Sequence, residues 1–247
     1  MARIIIVMIL SMSMVTCGVA QRRSDRREMS AIGLKEVAQL FNLESMKLVD
    51  FGGTIDIIYV DDFVIYHHAD TVYAIREGTR KPGVPDTLTS PYIVFKKGQD
   101  RGRLYKFLHA MDYQDVQVDS AIGAMMIAKE RIFQMDPVFR LVDAKGDSGG
   151  GLLERYVPIV KKDGSYPDSA YLYFKKDLLD VDFSLSRKLE TSKEMKLLSA
   201  RFVYLPSVDS SSGKQVPQRE MSFQISRKPV ADKQKIMQFL ERVEKSL

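Results

Sequence analysis

The chain has 247 residues, of which 45% are hydrophobic and 28% are charged, and its formal net charge at pH 7 is +5. Its 37 Lys and Arg residues are interspersed with 32 Asp and Glu residues instead of forming the basic stripe that a nucleic-acid-binding protein presents, so we expect no nucleic-acid partner. The single cysteine, Cys17, excludes intrachain disulfides, and without the first 20 residues the chain has no thiol for catalysis or metal binding.

Residues 1–20 have the layout of a secretory signal peptide. Arg3 precedes an apolar run from Ile4 to Val15, and small residues follow at Gly18 and Ala20. Cleavage after Ala20 would leave Gln21 as the first residue of the mature chain. This pattern predicts a secreted or periplasmic protein.

Two other interpretations of this segment remain open. Cys17 follows Met14, Val15 and Thr16 in a pattern that loosely resembles bacterial lipoprotein signals, which implies a lipid on Cys17 and a membrane-anchored protein. Alternatively the 17 residues from Ile4 to Ala20 stay uncleaved as an anchor, at the lower limit of length for crossing a bilayer. No later stretch reaches that length, so membrane attachment is expected only through an N-terminal lipid or this anchor.

Residues 21–29 form a charged linker, and residues 30–247 are predicted to form a single, mostly β domain. Just after the linker, apolar residues recur at helical spacing and predict a short amphipathic helix ending near Asn42. These residues are Ala31, Leu34, Val37, Ala38 and Phe41.

A change of period then predicts consecutive antiparallel strands. Runs rich in β-branched and aromatic residues occupy 46–51, 55–60, 63–68 and 71–76, and a Gly- and Pro-rich segment at 77–91 indicates a loop or a seam between two halves. Strands are expected again at 92–96 and 103–109. The pattern at 120–133 fits either a helix or a strand.

The remaining runs predict more strands and one final helix. The strands are expected at 137–142, 152–160, 170–174, 181–189, 196–205 and 221–226. The helix has one apolar stripe, made of Ile236, Phe239, Leu240, Val243 and Leu247. The fold class is therefore mostly β (α+β): a curved antiparallel sheet or partly closed barrel or sandwich, with a short N-terminal helix and a C-terminal amphipathic helix.

Residues 145–151, Lys-Gly-Asp-Ser-Gly-Gly-Gly, resemble the nucleophile loop of trypsin-like serine proteases over about eight residues. The resemblance implies Ser148 as a nucleophile, Gly146 in an oxyanion hole, and His67 or His68 as the base. Neither histidine lies in that family's small-residue context, and the spacing of about eighty residues from His67 to Ser148 is short for its double barrel. Gly, Ser and Asp are also the residues of an ordinary turn between two strands.

The other candidate sites are weak. His67 and His68 lie near Asp61, Asp62 and Asp70, but adjacent residues of a strand point to opposite faces, so the two histidines do not readily share a metal ion. The Gly146 to Gly151 loop lacks the Lys-Ser/Thr pair of a phosphate-binding loop. We therefore expect no metal and no cofactor.

The leading hypothesis is an exported or envelope-associated binding domain without covalent chemistry. Its expected partner is an apolar ligand, a peptide or another envelope protein, bound on the sheet. The alternative is a serine hydrolase that uses Ser148.

Overall fold

In the computed structural model, the described residues are 27–68, 72–73, 88–125, 138–160 and 166–246. They contain fifteen strands and three helices. The strands are β1 (Met29–Asn42), β2 (Lys47–Val60), β3 (Phe63–His68), β4 (Val72–Tyr73), β5 (Leu88–Thr89), β6 (Tyr92–Lys96), β7 (Arg101–Tyr105), β8 (Gln114–Gln117), β9 (Phe139–Gly146), β10 (Leu152–Pro158), β11 (Ser169–Lys175), β12 (Lys196–Tyr204), β13 (Ser207–Val208), β14 (Gln215–Val216) and β15 (Arg219–Lys228). The helices are α1 (Val118–Met125), α2 (Arg187–Lys193) and α3 (Lys233–Lys245).

Eleven strands form one antiparallel sheet in the order β8-β7-β6-β3-β2-β1-β15-β12-β11-β10-β9. Strands β1 and β15 lie side by side near its centre, in register from Ala31 opposite Lys228 to Ala38 opposite Met221. Because β8 and β9 are edges, the sheet is not closed into a barrel. The predicted mostly β, antiparallel architecture is confirmed.

The sheet is covered differently on its two faces. We call the face that carries Ile32, Ile57 and Leu172 the inner face; it builds the larger core together with α1, α2 and the segment 176–186. On the opposite, outer face, α3 covers β1, β2, β3, β6 and β7 and forms a second core with residues such as Ile58 and Val60. Successive strand residues alternate between these faces, so one sheet supports both cores.

Helix α3 confirms the predicted C-terminal amphipathic helix. It buries Ile236, Met237, Phe239, Leu240 and Val243. The ring of Phe239 meets Tyr105 edge-on, with ring centroids 5.0 Å apart. Arg103 on β7 closes the end of the helix by donating hydrogen bonds to the Ser246 hydroxyl (2.6 Å) and the Ser246 carbonyl (2.8 Å).

The predicted N-terminal helix is wrong, because these residues form strand β1. Residues 31–34 are all buried, since Ile32 and Leu34 face the inner core while Ala31 faces α3. A strand buried on both faces has no polar alternation, and its apolar residues then match a helical spacing by chance.

Strand β2 is continuous, whereas the sequence pattern predicts two separate strands at 46–51 and 55–60. Gly52 pairs with Val37, and a side chain at Gly52 would overlap the carbonyl oxygen of Glu36. The glycine is therefore required by the close approach of the neighbouring strand, and it does not mark a turn.

The strand expected at 181–189 is also wrong. Residues 181–186 have no regular structure, and α2 begins at Arg187. Val181, Phe183 and Leu185 do alternate as buried residues, but they cross the inner face as an irregular segment. Their backbone is held from elsewhere: Phe183 N–H donates to the Tyr59 hydroxyl (3.2 Å), and Val181 C=O accepts from Lys196 Nζ (2.9 Å).

Several predictions fall outside the described residues. These are the segment 1–20 with Cys17 and Ala20, most of the linker 21–29 with Gln21, most of the strand expected at 71–76, residues 77–87 of the expected seam, and Leu247 of the C-terminal stripe. Of the ambiguous stretch 120–133, the described part belongs to α1. No helix among the described residues is long and apolar enough to span a bilayer.

Candidate functional site

Ser148 lies in the turn between β9 and β10, and this turn is organised by Asp147. Asp147 Oδ1 accepts hydrogen bonds from the backbone N–H groups of Gly149 and Gly151, each at 2.8 Å. Asp147 Oδ2 accepts one from the Tyr173 hydroxyl at 2.8 Å. These bonds lower the pKa of the Asp147 carboxyl, the Gly151 amide having the largest effect. The hydrogen-bonding groups of residues 147–151 are thus used to hold the turn together.

The structure does not bring the predicted histidines to Ser148. His67 and His68 end β3, which is six strand spacings from β10. At about 4.8 Å per spacing this separation is roughly 29 Å along the sheet. His67 is on the outer face and His68 on the inner face, so the two rings also do not converge.

His67 instead contacts Ser90, which sequence reasoning did not identify. His67 Nε2 lies 2.6 Å from Ser90 Oγ, and the His67 ring stacks on Tyr92 with centroids 4.1 Å apart. Ser90 Oγ also donates to the carbonyl of His68 at 3.1 Å. Because a hydroxyl has one proton, His67 Nε2–H is then the donor to Ser90. Burial lowers the pKa of His67, which favours the neutral imidazole.

A small cavity of about 160 Å³ adjoins His67. Its wall includes Asp56, the cross-strand neighbour of His67, and Lys228, whose Nζ donates to both Asp56 carboxylate oxygens at 2.8 and 2.9 Å. Asp56 is therefore committed to an ion pair. Among the described residues, no group of three or more His, Cys, Asp or Glu side chains is arranged to hold a metal ion.

A second group of charged side chains is buried beneath α2. Glu154 accepts hydrogen bonds from Lys193 Nζ and the Tyr156 hydroxyl, both at 2.7 Å, and Lys196 Nζ lies 3.1 Å from a Glu190 carboxylate oxygen. Burial, followed by the bond to Glu154, raises the pKa of Tyr156. Each lysine of this group is paired with a glutamate, Lys193 with Glu154 and Lys196 with Glu190, which is the arrangement of a structural ion-pair network.

The outer face of the C-terminal half of the sheet carries none of the described helices. We call it the open face; it spans β1, β15, β12, β11 and β10. One cross-strand row on it runs through Val37, Ser222, Arg201, Tyr171 and Arg155. The next row runs through Lys35, Gln224, Ser199, Tyr173 and Leu153.

The open face contains a depression of about 490 Å³. Its lining combines cations, hydroxyl and amide groups with a few apolar side chains: Lys35, Val37, Leu153, Tyr171, Ser199, Arg201, Ser222 and Gln224. Inner-face residues of the same strands, such as Leu172 and Phe202, are fully buried and fix the strand positions. The depression therefore presents polar groups on strands whose opposite face is packed in the inner core.

A larger groove of about 680 Å³ lies between α1 and strands β6, β7 and β8. Its apolar lining comes from Pro91, Ile93, Leu104, Val116, Ala121, Ala124 and Met125. Met125 is also the last described residue before the gap at 126–137.

No family model matches the chain. No curated protein matches it either. A search of solved structures finds the structure of PNGF-II at 9% sequence identity and a TM-score of 0.31, aligned over 83% of this chain and 30% of that chain. A likeness at this level carries no argument about function, so a functional proposal depends on the geometry of the site.

Proposed function

We propose that this protein is an exported or envelope-associated, non-enzymatic binding domain that takes its ligand on the open face. The observation that carries the proposal is one depression on the open face, where five neighbouring strands present two rows of polar, cationic and aromatic side chains and no described helix packs. On the outer face of β1, β2, β3, β6 and β7, α3 packs against apolar residues. A polar face is usual where an antiparallel sheet meets water, and the feature that supports binding here is the depression with cationic, hydroxyl and aromatic groups around it.

Filling the depression tests this proposal. Ser222 is half-buried on the central strand β15, so Ser222→Trp places an indole in the depression while leaving the inner core unchanged. Purified wild-type protein and variant are compared on panels of saccharides, peptides and lipid vesicles. We expect saturable binding that Ser222→Trp abolishes and that Ser210→Trp, in an exposed loop, retains. Binding that both variants retain equally would place the ligand elsewhere.

The alternative function, a serine hydrolase with Ser148 as nucleophile, makes a different prediction. A fluorophosphonate reagent would label the native protein, and Ser148→Ala would abolish the labelling. We expect no labelling, because His67 is bound to Ser90 and two amides of the loop bind Asp147. If the reagent does label the protein, Ser90→Ala shows whether the labelled residue is Ser90, the serine that contacts His67.

Export is proposed from residues 1–20 alone. Mass spectrometry of the protein from its native cells should find Gln21 as the first residue. A diacylated Cys17 at the N-terminus would support the lipoprotein alternative, and an intact Met1 in the membrane fraction would support the uncleaved anchor. An intact Met1 on cytosolic protein would contradict export.

A further inference from the structure

We propose that the open face binds an acidic saccharide, one whose carboxylate or sulfate groups are held by Arg155 and Arg201. This inference rests on the proposed binding function and names the ligand class for the same surface.

The two arginines are held by one aromatic ring. Tyr171 lies between them in cross-strand register, on the central strand of the three. The guanidinium carbon of Arg201 is 4.7 Å from the centroid of the Tyr171 ring, and that of Arg155 is 5.8 Å from it. Both distances are within the range of a cation–π interaction. The ring therefore restricts two side chains that are otherwise flexible, so less entropy is lost when they bind an anion.

The depression itself favours an anion, because its lining among the described residues includes the cations Lys35 and Arg201 and no carboxylate. Acids lie around it: Glu220 is at one margin, and Asp143 and Asp147 lie along the adjoining strand β9 and its turn, with Asp143 opposite Arg155. Arg201 is 3.8 Å from the Glu220 carboxylate, but its side chain is 51% exposed and that of Glu220 is 35% exposed. An exposed pair at this distance is weak, so Arg201 keeps its capacity for another anion. Guanidinium groups bind carboxylates and sulfates through paired hydrogen bonds.

The remaining groups favour a saccharide over a peptide. The depression lies on the pleated face of the sheet, where the strands' backbone N–H and C=O groups are used in the ladders and offer nothing to an extended peptide. The hydrogen-bonding side chains that line the depression are the Ser199 and Ser222 hydroxyls and the Gln224 amide. Each of these can both donate and accept, as a ligand rich in hydroxyl groups requires.

Calorimetric titration tests the inference with defined anionic oligomers. Heparin oligosaccharide supplies sulfate groups, oligogalacturonate supplies carboxylate groups, neutral dextran is the uncharged control, and polyglutamate is the peptide competitor. We expect saturable binding of at least one acidic saccharide, none of dextran, and weakening at high salt. Arg155→Gln and Arg201→Gln should each lower the affinity about 10-fold.

Matched variants separate recognition from overall charge. Arg187→Gln and Lys176→Gln remove exposed cations outside the open face and should change the affinity less than about twofold. Tyr171→Phe keeps the ring and should retain binding, whereas Tyr171→Leu removes it and should weaken binding although no charge is lost. Equal losses in all four charge variants, or equal effects of the two Tyr171 variants, would overturn the inference.

The ligand class can fail while the binding function holds. Tighter binding of polyglutamate than of either acidic saccharide would overturn the saccharide in favour of an acidic peptide. No binding of any anionic oligomer, together with a ligand from the panels that Ser222→Trp abolishes, would overturn the inference and leave the proposed function in place. No ligand for the open face in either experiment would contradict both.

Discussion

Asp147 determines the conformation of the turn that contains Ser148. Its carboxylate accepts three hydrogen bonds, from two backbone amides and one tyrosine hydroxyl, whereas no described contact of the turn depends on the Ser148 hydroxyl. A serine between an aspartate and glycines is thus explained by the geometry of the turn.

Removing the carboxylate should therefore loosen the turn. In Asp147→Ala the amides of Gly149 and Gly151 lose their acceptor, so their hydrogen exchange should accelerate at least about tenfold. Exchange measured by NMR at these two amides checks this. Ser148→Ala is the matched control and should leave both rates unchanged; the reverse pattern would contradict the structural role of Asp147.

His67 should make the stability depend on pH. Its pKa is lowered in the folded protein, chiefly by burial, so the unfolded chain binds the proton more readily. The folded state is then at full stability above about pH 6.5 and loses stability as the pH falls below that value. Urea unfolding at about pH 7.5 and about pH 5 should show a smaller loss in His67→Gln than in the wild type.

The control for this measurement is His109, whose side chain is exposed. His109→Gln should keep the wild-type difference between the two pH values. An equal loss of stability in wild-type protein and in His67→Gln would show that other groups cause the pH dependence.

Among the elements, α3 is the main stabiliser of the outer core. Leu240 is fully buried between the helix and the sheet, and Phe239 contacts two tyrosines of strands β6 and β7. The free energy of unfolding should fall by about 2–5 kcal/mol in Leu240→Ala, because the truncation leaves a cavity. Leu179→Ala, at a position that is 56% exposed, should change it by less than about 0.5 kcal/mol. Urea denaturation of both variants gives the comparison, and equal effects would contradict the packing of α3.

The elements that could be predicted from the sequence are those whose burial is one-sided. The stripe of α3 is polar on its other side, and in β11 the buried Ala170, Leu172 and Phe174 alternate with half-buried tyrosines. Strand β1 has apolar residues toward both faces, so its alternation is lost. Segment 181–186 alternates like a strand, yet Tyr59 and Lys196 supply the hydrogen bonds that a ladder would have made.

The candidate site could hardly be predicted, because its residues come from strands that are far apart in the sequence. The open face is assembled from β1 and from four strands of the C-terminal half, and the residues that line its depression come from five strands in runs of at most three. Residues 145–151, which resemble a protease loop, form a local turn whose contact with a distant residue is the hydrogen bond from Tyr173 to Asp147. Ser90 is 23 residues from His67, and its contact depends on the pairing of β3 with β6.

At the scale of the whole molecule, one sheet connects the two cores. Strands β1, β2, β3 and β6 each contribute residues to both the inner and the outer core. Loss of either core exposes the other face of the same strands, so we expect a single cooperative unfolding transition.

This cooperativity can be followed with two signals. The chain has 11 tyrosines and no tryptophan, so tyrosine fluorescence reports on the packed rings while far-ultraviolet circular dichroism reports on the strands. The two denaturation curves should coincide. If the two signals give different denaturation midpoints, the part of the sheet covered by α3 and the part that carries the open face unfold separately.

The pairing of β1 with β15 also brings the two ends of the described chain together. Arg27 lies beside the last turn of α3, with its guanidinium 3.0 Å from the Glu244 carboxylate. A short Gly-Ser connection from residue 246 to residue 27, with new termini opened at the exposed turn around Gly98, would preserve every ladder of the sheet. Such a circular permutant should fold. A reporter protein fused to its new terminus would then sit at the turn between β6 and β7 instead of beside α3.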